Sequence, residues 1–348
     1  MTQSVSHRAV ALLSGGLDSL LAVLIMLRQG IRVNALRFST PFDTLNADQE
    51  ALAEQFNALA KKWGFDIVIH RLGREMLKIV KNPKHGYGKN MNPCIDCRIL
   101  MLQEARQVMD AIGADFLVTG EVLGQRPMSQ RKDMLYHIDK EAGTPDIVLR
   151  PLSAQLLRTT LPERQGIVDR EKLYAFSGRS RKPQIALARE FRLHDYPPPA
   201  GGCLLTEPNF VHRMKDLLAH DPNPALRDIK LLRTGRHFRY SPACKIIVGR
   251  NQAENEIIES LAERTDCLLW VENVASPLTL ITGEMTDESL LRAAGICARY
   301  SDVQHRGEVL VKGVKSGEAF AMRTLPERDE MMDAMRIEKK KSRLFAKA

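Results

Sequence analysis

The stretch Ala9-Val-Ala-Leu-Leu-Ser-Gly-Gly-Leu-Asp-Ser19 decides how the chain is read. Residues 9–13 form an unbroken apolar run of strand length, as expected of a strand buried on both faces. Ser14-Gly15-Gly16 interrupts it. Asp18-Ser19 then opens Leu20-Leu-Ala-Val-Leu-Ile-Met-Leu27, a run of helix-forming composition that ends near Gly30. Strand, glycine turn and helix N-terminus in this order build an anion site. Two glycines let the backbone approach a phosphate, while free N–H groups and the helix dipole attract it. Ser14 and Ser19 add hydroxyl donors. Asp18 repels phosphate by itself, so its carboxylate is expected to order the loop or to hold Mg²⁺. The lysine of a GxxxxGK[ST] loop is missing, which excludes a Walker-type site.

Downstream, residues 31–38 (IRVNALRF) read as a second strand, 47–63 as an amphipathic helix and 65–70 (FDIVIH) as a third strand. A helix is expected at about 98–112, then strand 115–119 (DFLVT), a polar loop with a helix, and strand 145–150 (PDIVLR). Strands alternating with helices imply an α/β fold, a Rossmann-like parallel sheet with ligands at the carboxyl ends of its strands. That edge collects Ser14, Gly15, Gly16, Asp18 and Ser19, together with Phe38 and Thr119-Gly120-Glu121.

At 348 residues the chain exceeds a typical single core, so two domains are expected: 1–206, a smaller α+β domain at 207–330, and a basic tail at 331–348. No run approaches a membrane span and MTQSVSHR is not a signal peptide, so a cytoplasmic enzyme without a membrane partner is the expectation. The net charge of +9 and the pI of about 9.3 point to a polyanionic partner. The six cysteines, in a reducing compartment, do not suggest a disulfide framework.

Residues 82–97, NPKHGYGKNMNPCIDC, form a Gly/Asn/Pro-rich loop ending in Cys94-Ile-Asp-Cys97 just before a helix. Cys203, in the Pro/Gly loop Pro197-Pro-Pro-Ala-Gly-Gly-Cys203, is the candidate third thiol. Three thiolates could hold three irons of a 4Fe-4S cluster and leave one iron open. Spacing alone equally allows zinc completed by His85 or His194, or a redox pair. Residues 120–130, GEVLGQRPMSQ, carry Glu121, Gln125, Ser129 and Gln130, denser in polar side chains than a plain loop requires.

SGGLDS at 14–19, PCIDC at 93–97, TGEVLGQRPMSQ at 119–130, RPL at 150–152 and PPAGGC at 198–203 occur in this order. The set resembles the PP-loop ATP pyrophosphatases, and among them the tRNA thiolases, above all the catalytic half of tRNA 4-thiouridine synthases; some 2-thiouridine synthases share the CxxC and distant Cys. The resemblance covers about residues 8–205. It implies that Ser14, Gly15, Gly16, Asp18 and Ser19 bind the pyrophosphate of ATP with Mg²⁺, that Phe38, Gly120, Glu121 and Gln125 line the nucleotide site, and that Cys94, Cys97 and Cys203 ligate a cluster. In the rival route it allows, Cys94 or Cys203 carries a persulfide. The expected activity is tRNA uridine thiolation through an adenylated uracil, of 4-thiouridine type, with 2-thiouridine synthesis or sulfuration or amidation of a small molecule as alternatives. The RNA-capturing extension and the rhodanese-like carrier of the 4-thiouridine synthases have no visible counterpart, so sulfide or a persulfide carrier stays open as the donor.

Between Leu226 and Arg250, seven basic residues (Arg227, Lys230, Arg233, Arg236, Arg239, Lys245, Arg250) face one acid, Asp228. Phe238 and Tyr240 sit among them, a composition suited to phosphates and exposed bases. Strands at 245–249, 267–271 and 278–282, helices at 254–263 and 288–299, and a hairpin at 308–325 complete an α+β reading. Residues 226–325 resemble the RNA-binding NFACT-R domain, which implies tRNA capture here. Cys244, Cys267 and Cys297 fall in or beside these elements and are expected to be buried small hydrophobes.

Overall fold

The computed structural model describes residues 6–44, 49–194, 196, 202–303 and 307–338. The chain divides into two compact units, Met1–Thr206 and Glu207–Ala348.

The first unit runs β1 (Arg8–Leu12), α1 (Leu17–Arg28), β2 (Arg32–Ser39), α2 (Gln49–Trp63), β3 (Asp66–Arg71), α3 (Arg74–Lys81), α4 (Cys94–Ile112), β4 (Phe116–Thr119), α5 (Lys132–Glu141), β5 (Val148–Leu149), α6 (Leu161–Arg164) and α7 (Lys182–Glu190). Its five strands are parallel, in the order β3-β2-β1-β4-β5. The apolar run at 9–13 is the centre of this sheet and is almost wholly buried. The chain builds outward from β1 through β2 to β3, then returns to place β4 on the other side. The carboxyl ends of β1 and β4 therefore flank the switch point, where parallel sheets open a crevice. Leu12 pairs with Thr119 across that boundary, so the residues after each strand emerge side by side. Helix α1 is apolar on nearly all sides because it is clamped between the sheet and α7.

Two boundaries differ from expectation. Helix α4 begins at Cys94, so Cys94-Ile-Asp-Cys97 is its first turn rather than the end of a loop. The strand expected at 145–150 is only Val148–Leu149, because Asp146 takes a left-handed φ of 65° and Arg150 turns inward.

The second unit runs α8 (Pro208–His220), α9 (Leu226–Leu231), β6 (Arg236–Ser241), β7 (Cys244–Val248), α10 (Gln252–Leu261), β8 (Cys267–Val271), β9 (Thr279–Gly283), α11 (Asp287–Arg299), β10 (Val309–Lys315), β11 (Glu318–Thr324) and α12 (Asp329–Met335). Six antiparallel strands lie in the order β11-β10-β8-β9-β7-β6. Helix α11 packs on one face, and Cys244, Cys267 and Cys297 are fully buried in that layer. Ile258 of α10 and Leu231 of α9 cover Ile247 and Leu280 on the other. Of the basic tail at 331–348, residues 339–348 lie outside the described residues.

Candidate active site

The loop after β1 is held by its own hydroxyls. Ser19 Oγ accepts from the Ser14 N–H at 3.1 Å and donates to the Gly16 carbonyl at 2.9 Å. Ser14 Oγ and Ser19 Oγ lie 3.1 Å apart. Gly16 caps α1 without a side-chain bond, which leaves the first-turn N–H groups for a ligand. Asp18 stands in that first turn. Gln125 Nε2 donates to its Oδ2 at 2.8 Å, while its Oδ1 is buried and without a partner among the described residues. A buried, uncompensated carboxylate oxygen beside an anion cradle suits a hard cation such as Mg²⁺.

The loop after β4 packs against this cradle. A Cβ on Gly120 would fall 2.5 Å from the backbone of Asp18 and Ser19, so only glycine fits. Glu121 turns away into a buried ion network. Its Oε2 accepts from Thr119 Oγ1 at 3.1 Å and Arg150 Nε at 3.0 Å, and Arg98 Nε approaches Oε1 at 3.1 Å. Burial pushes the Glu121 carboxyl up, but Arg98 and Arg150 together outweigh it and hold it below the usual carboxylate range. Arg150 also spans both oxygens of Asp139, at 2.7 and 2.8 Å. Phe38, at the carboxyl end of β2, buries its ring edge-on against His70, with centroids 5.5 Å apart.

The cysteines gather at the same edge. Cys203 forms a bridge with Asp43, and the Leu204 N–H donates to the Phe42 carbonyl at 2.8 Å. The Met91 N–H donates to the Leu205 carbonyl at 3.2 Å, which ties the same segment to the loop before Cys94. Residues 197–201 of the expected Pro/Gly loop lie outside the described residues. Cys94 Sγ bonds Asn92 Oδ1 at 2.7 Å. Burial pushes the Cys97 thiol up to about 12; Arg98 opposes this, and Cys203, Cys94 and Asp43 add to it. Burial likewise raises Cys203 to about 11, with Cys94 and Asp43 adding and Arg126 opposing. Among the described residues, no group of three or more His, Cys, Asp or Glu is arranged to hold a metal ion. The donor type suits an iron–sulfur cluster; the arrangement of the protonated thiols is not that of a formed metal centre. His85 is committed elsewhere, 2.9 Å from both Asp96 Oδ1 and His137 Nε2.

One stretch carried a signal that the sequence reading passed over. Ser177 bridges Leu123, and the Gly178 N–H donates to the Leu123 carbonyl at 2.7 Å. This sets Arg179, Arg181 and Lys182 next to the 120–126 loop, without ion-pair partners among the described residues. Three cations within four residues of Ser-Gly were visible in the sequence.

In the second unit the basic run is largely spent internally. Arg227 bonds the Leu261 carbonyl at 2.6 Å and pairs with Asp266. Arg239 pairs with Asp216 at 2.6 Å, and Arg250 pairs with Glu254. Lys245 and Phe238 are buried. The seven-to-one balance therefore overstates the free charge, because its counter-charges come from outside the window.

Comparison with known proteins matches residues 4–155 to the family described as thiamine biosynthesis protein (ThiI). That match falls within the first unit. Residues 235–334 match the NFACT protein RNA binding domain. A probable tRNA sulfurtransferase of Lysinibacillus sphaericus is 34% identical over 145 residues, covering 42% of this chain and 34% of that protein. One of Thermococcus kodakarensis is 32% identical over 151 residues, covering 42% and 36%. The chain thus spans about a third of the length of these curated relatives. Among solved structures, a 4-thiouridine synthetase–RNA complex with bound ATP aligns over 54% of this chain and 52% of that one, at 22% identity and a TM-score of 0.35. Among the described residues, no helix is long and apolar enough to cross a membrane.

Proposed function

We propose that the chain is an ATP-dependent tRNA uridine thiolase, forming 4-thiouridine by way of an adenylated uracil. The loop at 120–126 carries this reading. Gln125 holds Asp18 of the nucleotide loop, and the charge of the next residue, Arg126, acts on Cys203. One loop thereby connects a phosphate cradle to a set of thiols.

In this reading the uracil carbonyl oxygen attacks the α-phosphorus of ATP, the bond to the β-phosphate oxygen breaks, and pyrophosphate leaves. The N–H groups at the start of α1, with Ser14 and Ser19, take up the developing charge. Mg²⁺, when bound at Asp18, neutralises phosphate oxygens. Phe38, Gly120 and Gln125 shape the nucleotide side, and Arg179, Arg181 and Lys182 extend the positive rim. Glu121 acts at one remove, because it locks the loop to α4 through Arg98. Sulfur then attacks the adenylated carbon and AMP leaves. A 4Fe-4S cluster, when held by Cys94, Cys97 and Cys203, supplies an open iron for hydrosulfide. Without it, the outer sulfur of a persulfide on Cys94 or Cys203 attacks the carbon. A second thiolate then attacks the inner sulfur, which releases the thiouridine, forms a protein disulfide and leaves that disulfide to an external thiol. Residues 207–330 are assigned to tRNA capture, with the tail at 331–348 as an auxiliary contact.

The test is anaerobic incubation of the full chain with ATP, Mg²⁺, bulk tRNA and sulfide, followed by AMP and pyrophosphate. Release that requires tRNA supports the reading. Release indifferent to tRNA moves the substrate to a small molecule and overturns it.

A further inference from the structure

Arg236, at the start of edge strand β6, stacks over the Tyr300 ring with its guanidinium carbon 4.3 Å from the centroid. Arg336, just after α12, donates from Nη2 to the hydroxyl of the same tyrosine at 2.5 Å. Its guanidinium carbon lies 5.0 Å over Phe238. Its Nε is buried without a partner. Neither arginine has a carboxylate partner among the described residues. The acids on this face are engaged elsewhere: Glu338 Oε1 takes Arg213 Nε at 2.6 Å, and Glu254 takes Arg250.

Neighbouring cations act on Arg236 and on the buried groups behind it. Burial lowers Arg236, and Arg250 and Arg336 lower it further while Tyr300 and Glu254 oppose them. Burial drives His237 well below its ordinary value, with Lys245, Arg213 and Arg250 adding to the effect. Lys245 falls to about 8 by burial, with Arg239 and Arg213 contributing. Like charges held together cost free energy in the unliganded protein, and a bound anion relieves that cost. Arg236, Arg336 and Tyr300 are each only half-buried, so both arginines keep part of their surface in solvent.

We propose that Arg236 and Arg336, both held by Tyr300, form the phosphate-backbone contact through which the second unit takes RNA. This rests on the RNA-substrate reading above and names its surface. Two planar guanidiniums, one stacked on Tyr300 and one stacked on Phe238 and bonded to the Tyr300 hydroxyl, suit bidentate contact with phosphodiester oxygens, and stacking limits the side-chain entropy lost on binding. The contact positions the RNA and reads no sequence.

The test uses the full chain and an equilibrium tRNA titration over a series of salt concentrations, without ATP or sulfur donor. Arg236→Gln/Arg336→Gln should weaken binding about tenfold or more near 100 mM salt and reduce the slope of log K against log salt by about two. Arg236→Lys/Arg336→Lys should restore the slope but not the whole affinity. Arg264→Gln removes one exposed charge from the same unit and should leave both nearly unchanged. Circular dichroism and a thermal melt of each variant establish that it is folded. Unchanged affinity and slope in the folded Gln double variant overturn the proposal. So does an equal loss in Arg264→Gln, which would make the effect general charge. Inorganic phosphate in place of RNA separates the sources: saturation at micromolar phosphate, with tRNA binding unaffected by the variant, marks a free-phosphate site and overturns the RNA assignment. Binding that behaves as stated while no RNA is ever thiolated would sink the enzymatic reading and leave this surface standing.

Discussion

Gly120→Ala isolates the contact between the two loops of the nucleotide site. The new Cβ would start 2.5 Å from Asp18 C, Ser19 N and Ser19 Cα, all backbone atoms at the head of α1. Relief to an ordinary contact of 3.4 Å needs a shift of about 0.9 Å. The body of helix α1 beyond its first turn cannot give way, because Leu20 to Met26 are buried against the sheet and α7. The shift therefore falls on the 14–19 loop and on the Gln125–Asp18 bond. Overpacking of this kind costs about 1–3 kcal/mol of stability. A misplacement near 1 Å in a site that works by positioning costs about 10²-fold in rate. The assay is tRNA-dependent pyrophosphate release, read beside thermal unfolding. Gly30→Ala is the control: Gly30 has φ +78° with nothing within 4 Å of its Cβ. It should lose about 1–2 kcal/mol from backbone strain and keep its rate. Near-normal pyrophosphate release by folded Gly120→Ala would refute the argument that this contact sets the loop.

Asp18→Ala should abolish AMP and pyrophosphate formation with little change in melting temperature, since among the described residues the Asp18 side chain bonds only Gln125; retained release would remove its metal role. Glu121→Gln should destabilise by about 3 kcal/mol, because Arg150 would stay buried against a neutral amide and half-buried Arg98 would lose its carboxylate. The native Glu121 carboxyl lies below its ordinary value of 4.5, so its contribution is present above that pH and is lost as pH falls through the native value. The wild type should therefore lose more stability than Glu121→Gln between pH 4.5 and the acid transition, measured by urea unfolding. Lys245 falls from 10.5 to about 8 in the folded state, so the unfolded chain binds the extra proton between those values. Stability should rise with pH across that window, by about 3 kcal/mol if the full shift is realised. Lys245→Met should flatten the rise and be the more stable protein at pH 7; an unchanged slope would show that the ammonium is solvated.

Much of the first unit was legible because its signals are local. An apolar pentad, two glycines and a helix-forming octad suffice to place β1, the cradle and α1 at residues 9–27. Helix α3 was missed although Met76, Leu77 and Val80 are buried at helical spacing, because eight residues flanked by loops give a weak periodic signal. The start of α4 was misplaced because Pro93 looked like loop; proline ahead of a first turn is also a helix start. Glu121 was read as a ligand-facing residue because nothing local announces Arg98 and Arg150, which lie 23 and 29 residues away in the sequence and meet it only through the sheet. The free charge of the basic run was overcounted for the same reason. Asp216, Asp266 and Glu254, which absorb Arg239, Arg227 and Arg250, lie outside the window that was counted. Conversely, Arg336 was overlooked because only the register between Phe238 and Arg336 brings it to β6.

The most direct measurement of the central claim is mass spectrometry of tRNA nucleosides from a strain lacking this protein, with the wild-type chain and Asp18→Ala as complements. The account predicts that 4-thiouridine disappears, returns with the wild-type chain and does not return with Asp18→Ala. A complete and unchanged set of thiolated uridines in the deletion strain would contradict it.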